Sequence, residues 1–502
     1  MQTKIINSKI INLLILVLFI TQPIIFILKN IHFYPIKSLI NPLLLSLILS
    51  AFIICLFYSS KKFFKIDLTR LIIFFPILWF CQFYYFDILE LIEFDGGIQS
   101  YQKILFICFI IAISITITFF SKKNFLIFFI NLNILFIIFT FITTFQSNFF
   151  QESKKNIIFH SSEYFDLKNY KEPNDIKYRN IYFVILDEMT SAKTYNDLGF
   201  NFSSQISKFE ALGYQHLSGS KSSYFSTQYT IGSIFNMEYY KENVFIEEEN
   251  FYPFNLYLNN SPNLLKILNY YDYKFWFTDN QYAKCTSSSE VTCLGRHKFL
   301  ESILFDESLK IFFENSFMKP ILRKIKFRIS SYSKKKTEVQ KTLDFIKKNK
   351  SILKDRNNFF WIHNMNPHYP LRDPDCNIIN VPNTTIKDSH YINATKCTLK
   401  AIDEMIIEIN SSDPDAIVVF QADHGFSKYN INGLFDRRVF EIFNLIKMPK
   451  SCYRKIDKDS GSVTTINLVF SCFRHTKNKT YENKSFIVKE RNSNGTIFKK
   501  LN

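Results

Sequence analysis

Two patterns of apolar residues divide this chain. Up to about residue 145, long apolar stretches follow one another at Ile11 to Leu28, Leu39 to Tyr58, Leu71 to Ile92, Ile104 to Phe120 and Phe125 to Phe145. Each is about 17 to 22 residues long, the length a helix needs to cross a hydrocarbon core, so residues 1–145 are predicted to be a membrane domain of five transmembrane helices. The first stretch is too long for a signal-peptide core, lacks a small-residue cleavage site and precedes further spans, which predicts that it is retained. Asp87 and Glu90 fall near the end of the third stretch, a position expected at the membrane interface. From Asn180 to about Phe470 the apolar runs shorten to strand length and alternate with helical stretches. That pattern predicts an α/β sandwich around a mainly parallel sheet, within a second domain of residues 181–502. Between the two lies a polar connector, 146–180, carrying Lys154, Lys155, Lys168, Lys171 and Lys177. It reads as a solvated linker, with a helix on the bilayer surface as the alternative.

Charge orients the first domain. Lys4, Lys9, Lys61, Lys62, Lys65, Arg70, Lys122 and Lys123 fall in loops on one side, against Lys29, Lys37 and Lys103 on the other. The positive-inside rule places the first group in the cytoplasm, and an odd number of spans places everything after Phe145 outside. The net charge of +17 is no nucleic-acid signal, because much of it flanks the predicted spans. The basic stretch Lys319 to Arg356 reads as solvated helix faces, with attraction to anionic lipid or glycan as the alternative. Of nine cysteines, Cys55, Cys81 and Cys108 lie inside predicted spans. The other six, Cys285, Cys293, Cys376, Cys397, Cys452 and Cys472, lie in the outer domain. Near-neighbour pairing into three disulfides is one of fifteen connectivities and suits an oxidising compartment; six reduced, buried cysteines in a cytosolic domain is the competing reading. No CxxC occurs, which argues against a thiolate zinc site.

Candidate chemistry gathers at strand ends. The apolar run Ala416 to Phe420 leads to Asp423-His424-Gly425, two metal-capable side chains and a residue that lets the backbone turn sharply. The run Ile181 to Leu186 delivers Asp187 and Glu188. In open α/β sheets ligands bind at the carboxyl ends of strands, so these side chains are predicted to converge. Taken singly, each has a plainer reading: a strand-end acid is often a cap or turn former, Ser and Thr fill polar loops, and His368 between Pro367 and Pro370 fits an ordinary turn.

In chain order, Asp187-Glu188, then Ser226-Thr227-Gln228-Tyr229-Thr230 leading into Ile231 to Met237, then Asn366-Pro367-His368-Tyr369-Pro370, then Asp423-His424-Gly425, the chain resembles the sulfatase-like branch of the alkaline phosphatase superfamily. With five amino-terminal spans it looks like the membrane-anchored phosphoethanolamine transferases and lipoteichoic acid synthases. The resemblance implies an alkaline phosphatase/sulfatase-type α/β sandwich. It also implies one divalent metal ion, zinc or manganese, held by Asp187 or Glu188 with Asp423, His424 and Thr227. The family nucleophile matches Thr227 best, with Thr230 as competitor. His368 and His363 match positions that contact substrate or protonate the leaving group. The implied setting is the bacterial inner membrane, multi-pass, with a periplasmic or extracellular catalytic domain.

The implied reaction moves a phospho-alcohol group, with phosphoethanolamine favoured, from a membrane phospholipid donor to a lipid or glycan acceptor. A phosphothreonine-type intermediate would link the two steps. Phosphoglycerol transfer and phosphodiester hydrolysis are alternatives within the fold, and a non-catalytic membrane scaffold is an alternative outside it. The Cys or Ser, x, Pro, x, Arg pattern of formylglycine sulfatases is absent, which argues against sulfate-ester hydrolysis. No convincing Asp-x-x-x-His segment for a second zinc site is found, so a one-metal transferase is expected.

Overall fold

The computed structural model describes residues 8–30, 36–59 and 69–81, isolated positions between 111 and 142, Phe312 and Phe313, and most of 166–501. The longest breaks in that last stretch are 254–261, 295–311, 314–335, 450–455 and 475–481. The chain forms two compact units, one of Met1–Lys154 with Lys298–Ser330 and one of Lys155–His297 with Ser331–Asn502.

In the first unit, helices span Ser8–Asn30, Ile36–Ser59 and Thr69–Cys81. Leu14, Leu18 and Ile77 are buried among them, whereas Leu44, Ile48, Phe52 and Leu56 face outward. An apolar surface of that kind is stable in lipid rather than water. Among the described residues one helix is long and apolar enough to cross a membrane, over Leu39–Leu56, and Asn12–Leu28 is a shorter apolar helix. The third predicted span is described only as far as Cys81, and the fourth and fifth lie largely outside the described residues.

The second unit is built on strands β1 (Ile181–Leu186), β2 (Gln215–His216), β3 (Phe245–Glu247), β4 (Lys274–Thr278), β5 (Val291–Leu294), β6 (Asn358–Asn364), β7 (Ile417–Ala422), β8 (Asn430–Ile431), β9 (Leu434–Phe435), β10 (Asn444–Lys447), β11 (Phe486–Asn492) and β12 (Gly495–Lys500). Seven form one sheet in the order β2-β10-β7-β1-β6-β4-β5. From β7 to β5 all pairings are parallel, and β10 runs antiparallel to both β7 and β2. Every residue of β1, β6 and β7 is buried, as expected of central parallel strands covered on both faces.

Alternation along β1 sends Tyr182, Val184 and Leu186 into a core shared with the helices Glu338–Lys348 and Asp388–Ser412. On the other face, Phe183 stacks on Trp361 at 5.4 Å, and Trp361 meets Phe235 of the helix Thr227–Asn236 at 4.6 Å. The domain is therefore an α/β sandwich around a mostly parallel sheet. A second sheet, β11-β12-β3, packs Phe486 and Phe498 into a cluster with Tyr224, Tyr229, Tyr240 and Phe251. Strands β8 and β9 form a separate hairpin.

Disulfides join Cys285 to Cys293 and Cys376 to Cys397. Cys472 is also disulfide-bonded, while Cys452 lies outside the described residues.

Candidate metal centre

Register brings the site together. Leu186 pairs with Asn364 on one side and Ala422 on the other, so β1, β6 and β7 end at one level. The next residues are Asp187, Met365 and Asp423. His363, the penultimate residue of β6, places Nε2 3.3 Å from Asp187 Oδ2. Asp187, His363 and Asp423 are all buried, and each offers a ligand atom within 4.8 Å of the others.

Adjacent residues of an extended strand point to opposite faces, yet Asp187 and Glu188 both act on His368 and His424. The backbone explains this. Glu188 has φ +62°, a left-handed conformation that costs a non-glycine residue about 1–3 kcal/mol and persists only where its surroundings enforce it. Three contacts do so. Glu188 N–H donates to Asp423 Oδ1 at 3.0 Å, the Tyr391 hydroxyl donates to the Glu188 carbonyl, and the Thr190 N–H donates to Tyr391 Oη at 3.1 Å.

Asp423 Oδ1 also accepts the His424 N–H at 2.9 Å, leaving Oδ2 toward His424 Nε2 at 3.5 Å. His424 Nδ1 lies 2.9 Å from the Gly425 carbonyl. A carbonyl only accepts, so Nδ1 carries the proton, and in the neutral ring Nε2 presents a lone pair. That nitrogen is 3.3 Å from Thr227 Oγ1. Gly425 is required for space and does not take a left-handed backbone. A Cβ there would fall 2.6 Å from the Arg438 carbonyl oxygen and 2.8 Å from that of Glu441.

Thr227 opens the helix Thr227–Asn236, beside the N-cap residue Ser226. A helix amino terminus favours an anion placed beside it. Thr230, the competing threonine, donates its hydroxyl to the Tyr224 carbonyl at 2.9 Å. His368 is half-buried, with Nε2 3.7 Å from Glu188 Oε1 and Nδ1 3.0 Å from the Tyr369 carbonyl.

Burial opposes charge on every one of these groups, and their mutual attraction answers it. Burial would lower the His368 pKa, but Asp187 and Glu188 override it and raise the value to about 9. Burial likewise opposes the charged form of His424, which Asp423, Glu188 and Asp187 nevertheless hold upward. For Asp187 burial pushes up, and His368 with His363 brings the net direction downward. In Glu188 burial wins, and its pKa is raised.

The residues fit a divalent cation. Asp187 Oδ1, Asp423 Oδ2 and His363 Nδ1 are buried without a hydrogen-bond partner, and buried carboxylate oxygens left in that state are expensive unless a cation meets them. The donor set, carboxylate and imidazole with a hydroxyl at hand, suits zinc or manganese.

Two features went unread in the sequence. His363, which the resemblance matches to substrate contact or leaving-group protonation, lies beside Asp187. Tyr391 was not singled out at all. It accepts from Tyr195 Oη at 3.0 Å and stacks on Phe426 at 3.9 Å, holding the β1 turn from a helix about two hundred residues away. Its only sequence signal is a tyrosine on the apolar face of that helix.

Fold and site together define an α/β sandwich with a buried carboxylate–imidazole cluster at the carboxyl edge of its sheet and a threonine hydroxyl at a helix start beside it. The family model described as Sulfatase matches residues 179–463, more than half of the chain, and the chain belongs to that family. No curated protein matches it.

Among solved structures, the integral membrane lipooligosaccharide phosphoethanolamine transferase A (EptA) of Neisseria meningitidis is similar at 13% identity, covering 93% of this chain and 95% of that one, with a TM-score of 0.38. The periplasmic domain of Escherichia coli EptC in complex with Zn is similar at 13% identity over 61% of this chain and 85% of that one, TM-score 0.35. The lipoteichoic acid synthase LtaP of Listeria monocytogenes is similar at 13% identity over 64% and 76%, TM-score 0.34.

Proposed function

We propose that the chain is a membrane-anchored transferase that moves a phospho-alcohol group, phosphoethanolamine in the favoured reading, from a membrane phospholipid to a lipid or surface glycan. In this reading residues 1–145 form the anchor, 146–180 the connector and 181–502 an outward-facing catalytic domain. The observation that carries it is Thr227 Oγ1 at 3.3 Å from His424 Nε2, at the start of a helix and beside a carboxylate cluster.

The cation would be held by Thr227, Asp423 and His424 with the acids of the β1 turn, Asp187 and Glu188. When bound, a divalent ion supplies Lewis-acid stabilisation of the threonine oxygen and of charge on a phosphate. The remaining roles fall to the chain itself. Thr227 Oγ, its hydroxyl proton lost to solvent, attacks phosphorus, forming an Oγ–P bond as the bond from phosphorus to the lipid alcohol oxygen breaks. The amino end of the helix faces the phosphate charge. His368 Nδ1 is committed to a carbonyl, the carboxylates of Asp187 and Glu188 raise the ring's pKa, and its Nε2 proton passes to the departing alkoxide. In the second displacement His368 takes a proton from the acceptor hydroxyl, whose oxygen attacks phosphorus and releases Thr227.

Intact-mass analysis after exposure to phospholipid tests the scheme. An adduct is expected on the wild-type chain, its mass identifying phosphoethanolamine or phosphoglycerol. Thr227→Ala should show no adduct and no transfer, and a variant that still labels or transfers removes Thr227 from the role. Head group released equally fast with and without acceptor would favour hydrolysis.

A further inference from the structure

The chain leaves the second unit and returns to it. β5 and the helix Glu338–Lys348 both belong to that unit, yet the segment Lys298–Ser330 between them belongs to the first. We infer that this excursion is a second, noncovalent attachment of the catalytic unit: its Phe312-Phe313 pair seats on the anchor helices and holds them independently of the connector. The attachment presupposes that residues 1–145 are the anchor, as proposed above, and is independent of the transfer chemistry.

Packing carries it. Phe312 is 4% and Phe313 8% exposed. Their cover includes Phe26, Leu45 and Trp79, one residue from each of the helices Ser8–Asn30, Ile36–Ser59 and Thr69–Cys81. Phe312 meets Phe26 edge-on at 5.3 Å and Trp79 at 6.4 Å, Phe313 meets Trp79 edge-on at 5.8 Å, and the two phenylalanine rings lie 5.0 Å apart. Tilted and edge-on pairs with centroids about 4.5–7 Å apart are favoured, and withdrawing these rings into water would forfeit both contact and burial.

The seat is also on the expected side. Phe26 lies near the end of the first helix and Leu45 in the first half of the second, so both are toward the link that joins those helices. The basic loops at the opposite ends place that link outward, the side from which a segment of the catalytic unit arrives. On the second helix Leu44, Ile48 and Phe52 face outward from the bundle, whereas Leu45 packs on the phenylalanine pair.

The test uses the full-length protein in detergent, with a protease site placed in the connector between Lys155 and Phe165 and an affinity tag at the amino terminus. After cutting, the catalytic fragment is expected to stay on the tagged anchor. Phe312→Asp with Phe313→Asp, and separately Trp79→Ala on the receiving side, should release most of it. In the uncut chain the same substitutions should lower Thr227 labelling by bilayer phospholipid more than labelling by a short-chain phospholipid in solution. Release of the wild-type fragment on cutting overturns the inference, whether or not the variants fold, and so does unchanged retention in the double Asp variant. A fragment that stays with bilayers after cutting but leaves the tagged anchor in detergent overturns it too, because lipid would then be the partner, met by the eight Lys and Arg between Asn315 and Thr337. Failure of the transfer reading is separate: it would appear as a fragment held on the anchor with no Thr227 adduct.

Discussion

At the scale of single residues, geometry at the β1 turn depends on a hydroxyl contributed from elsewhere in the chain. Tyr391→Phe would strip the Glu188 carbonyl of its donor and leave the Thr190 N–H without its acceptor, while the Tyr195 hydroxyl keeps Thr395 Oγ1 at 2.8 Å. Burying such groups unpaired costs about 1–3 kcal/mol, and loss of an outer partner of a metal site typically costs ~10–100-fold in metal affinity or activity. Manganese affinity by titration should fall within that range, and an unchanged affinity would reduce Tyr391 to packing. A second residue reports on pH. Burial, with Lys458 adding to it, lowers the His216 pKa to about 4, where the ring stacks on Phe443 at 5.8 Å. Because the folded value lies below the unfolded one, roughly 6.5, the stability term is fully present above about pH 6.5. It drains away as pH falls toward 4, where the unfolded chain takes up a proton the native state refuses. His216→Phe should lose less stability than wild type between pH 7 and 4 in denaturant titrations.

At the scale of elements, the strands were legible because their signal is local. Continuous apolar runs in β1 and β7, each ending in acids, announced central parallel strands and the edge where chemistry gathers. What escaped was anything set by pairing between distant segments. Nothing in the spacing of His363 reveals that β6 lies beside β1, so its approach to Asp187 could not be read. The bond from the Thr230 hydroxyl to the Tyr224 carbonyl is likewise not displayed by the sequence. The β11–β12 hairpin, outside the matched family region, lacks a motif yet supports the Thr227 helix. Phe498 packs on Tyr229 at 4.9 Å and on Tyr224 at 4.8 Å, while Tyr229 Oη meets Thr496 Oγ1 at 3.1 Å. Phe498→Ala should cost about 3–5 kcal/mol by chemical denaturation. It should also slow Thr227 labelling at temperatures where the protein stays folded; a large stability loss with unchanged labelling would make the hairpin a passive brace.

At the scale of the whole molecule, the two bridges described, Cys285–Cys293 and Cys376–Cys397, belong to the unit proposed to face outward. Each is expected to contribute about 2–4 kcal/mol. Reduction without denaturant should therefore lower the thermal midpoint of the full chain by several degrees, and an unchanged midpoint would show the bridges to be dispensable. Cell-impermeant thiol reagents should label the outer domain of intact cells only after reduction. The Cys376–Cys397 bridge has a wider effect. It fastens the segment that follows His368 to the helix that presents Tyr391, so the group proposed to deliver the proton and the group that sets the Glu188 turn share one tether. A copy stranded on the reducing side of the membrane would lose its grip on both at once, which would keep misrouted molecules silent until export.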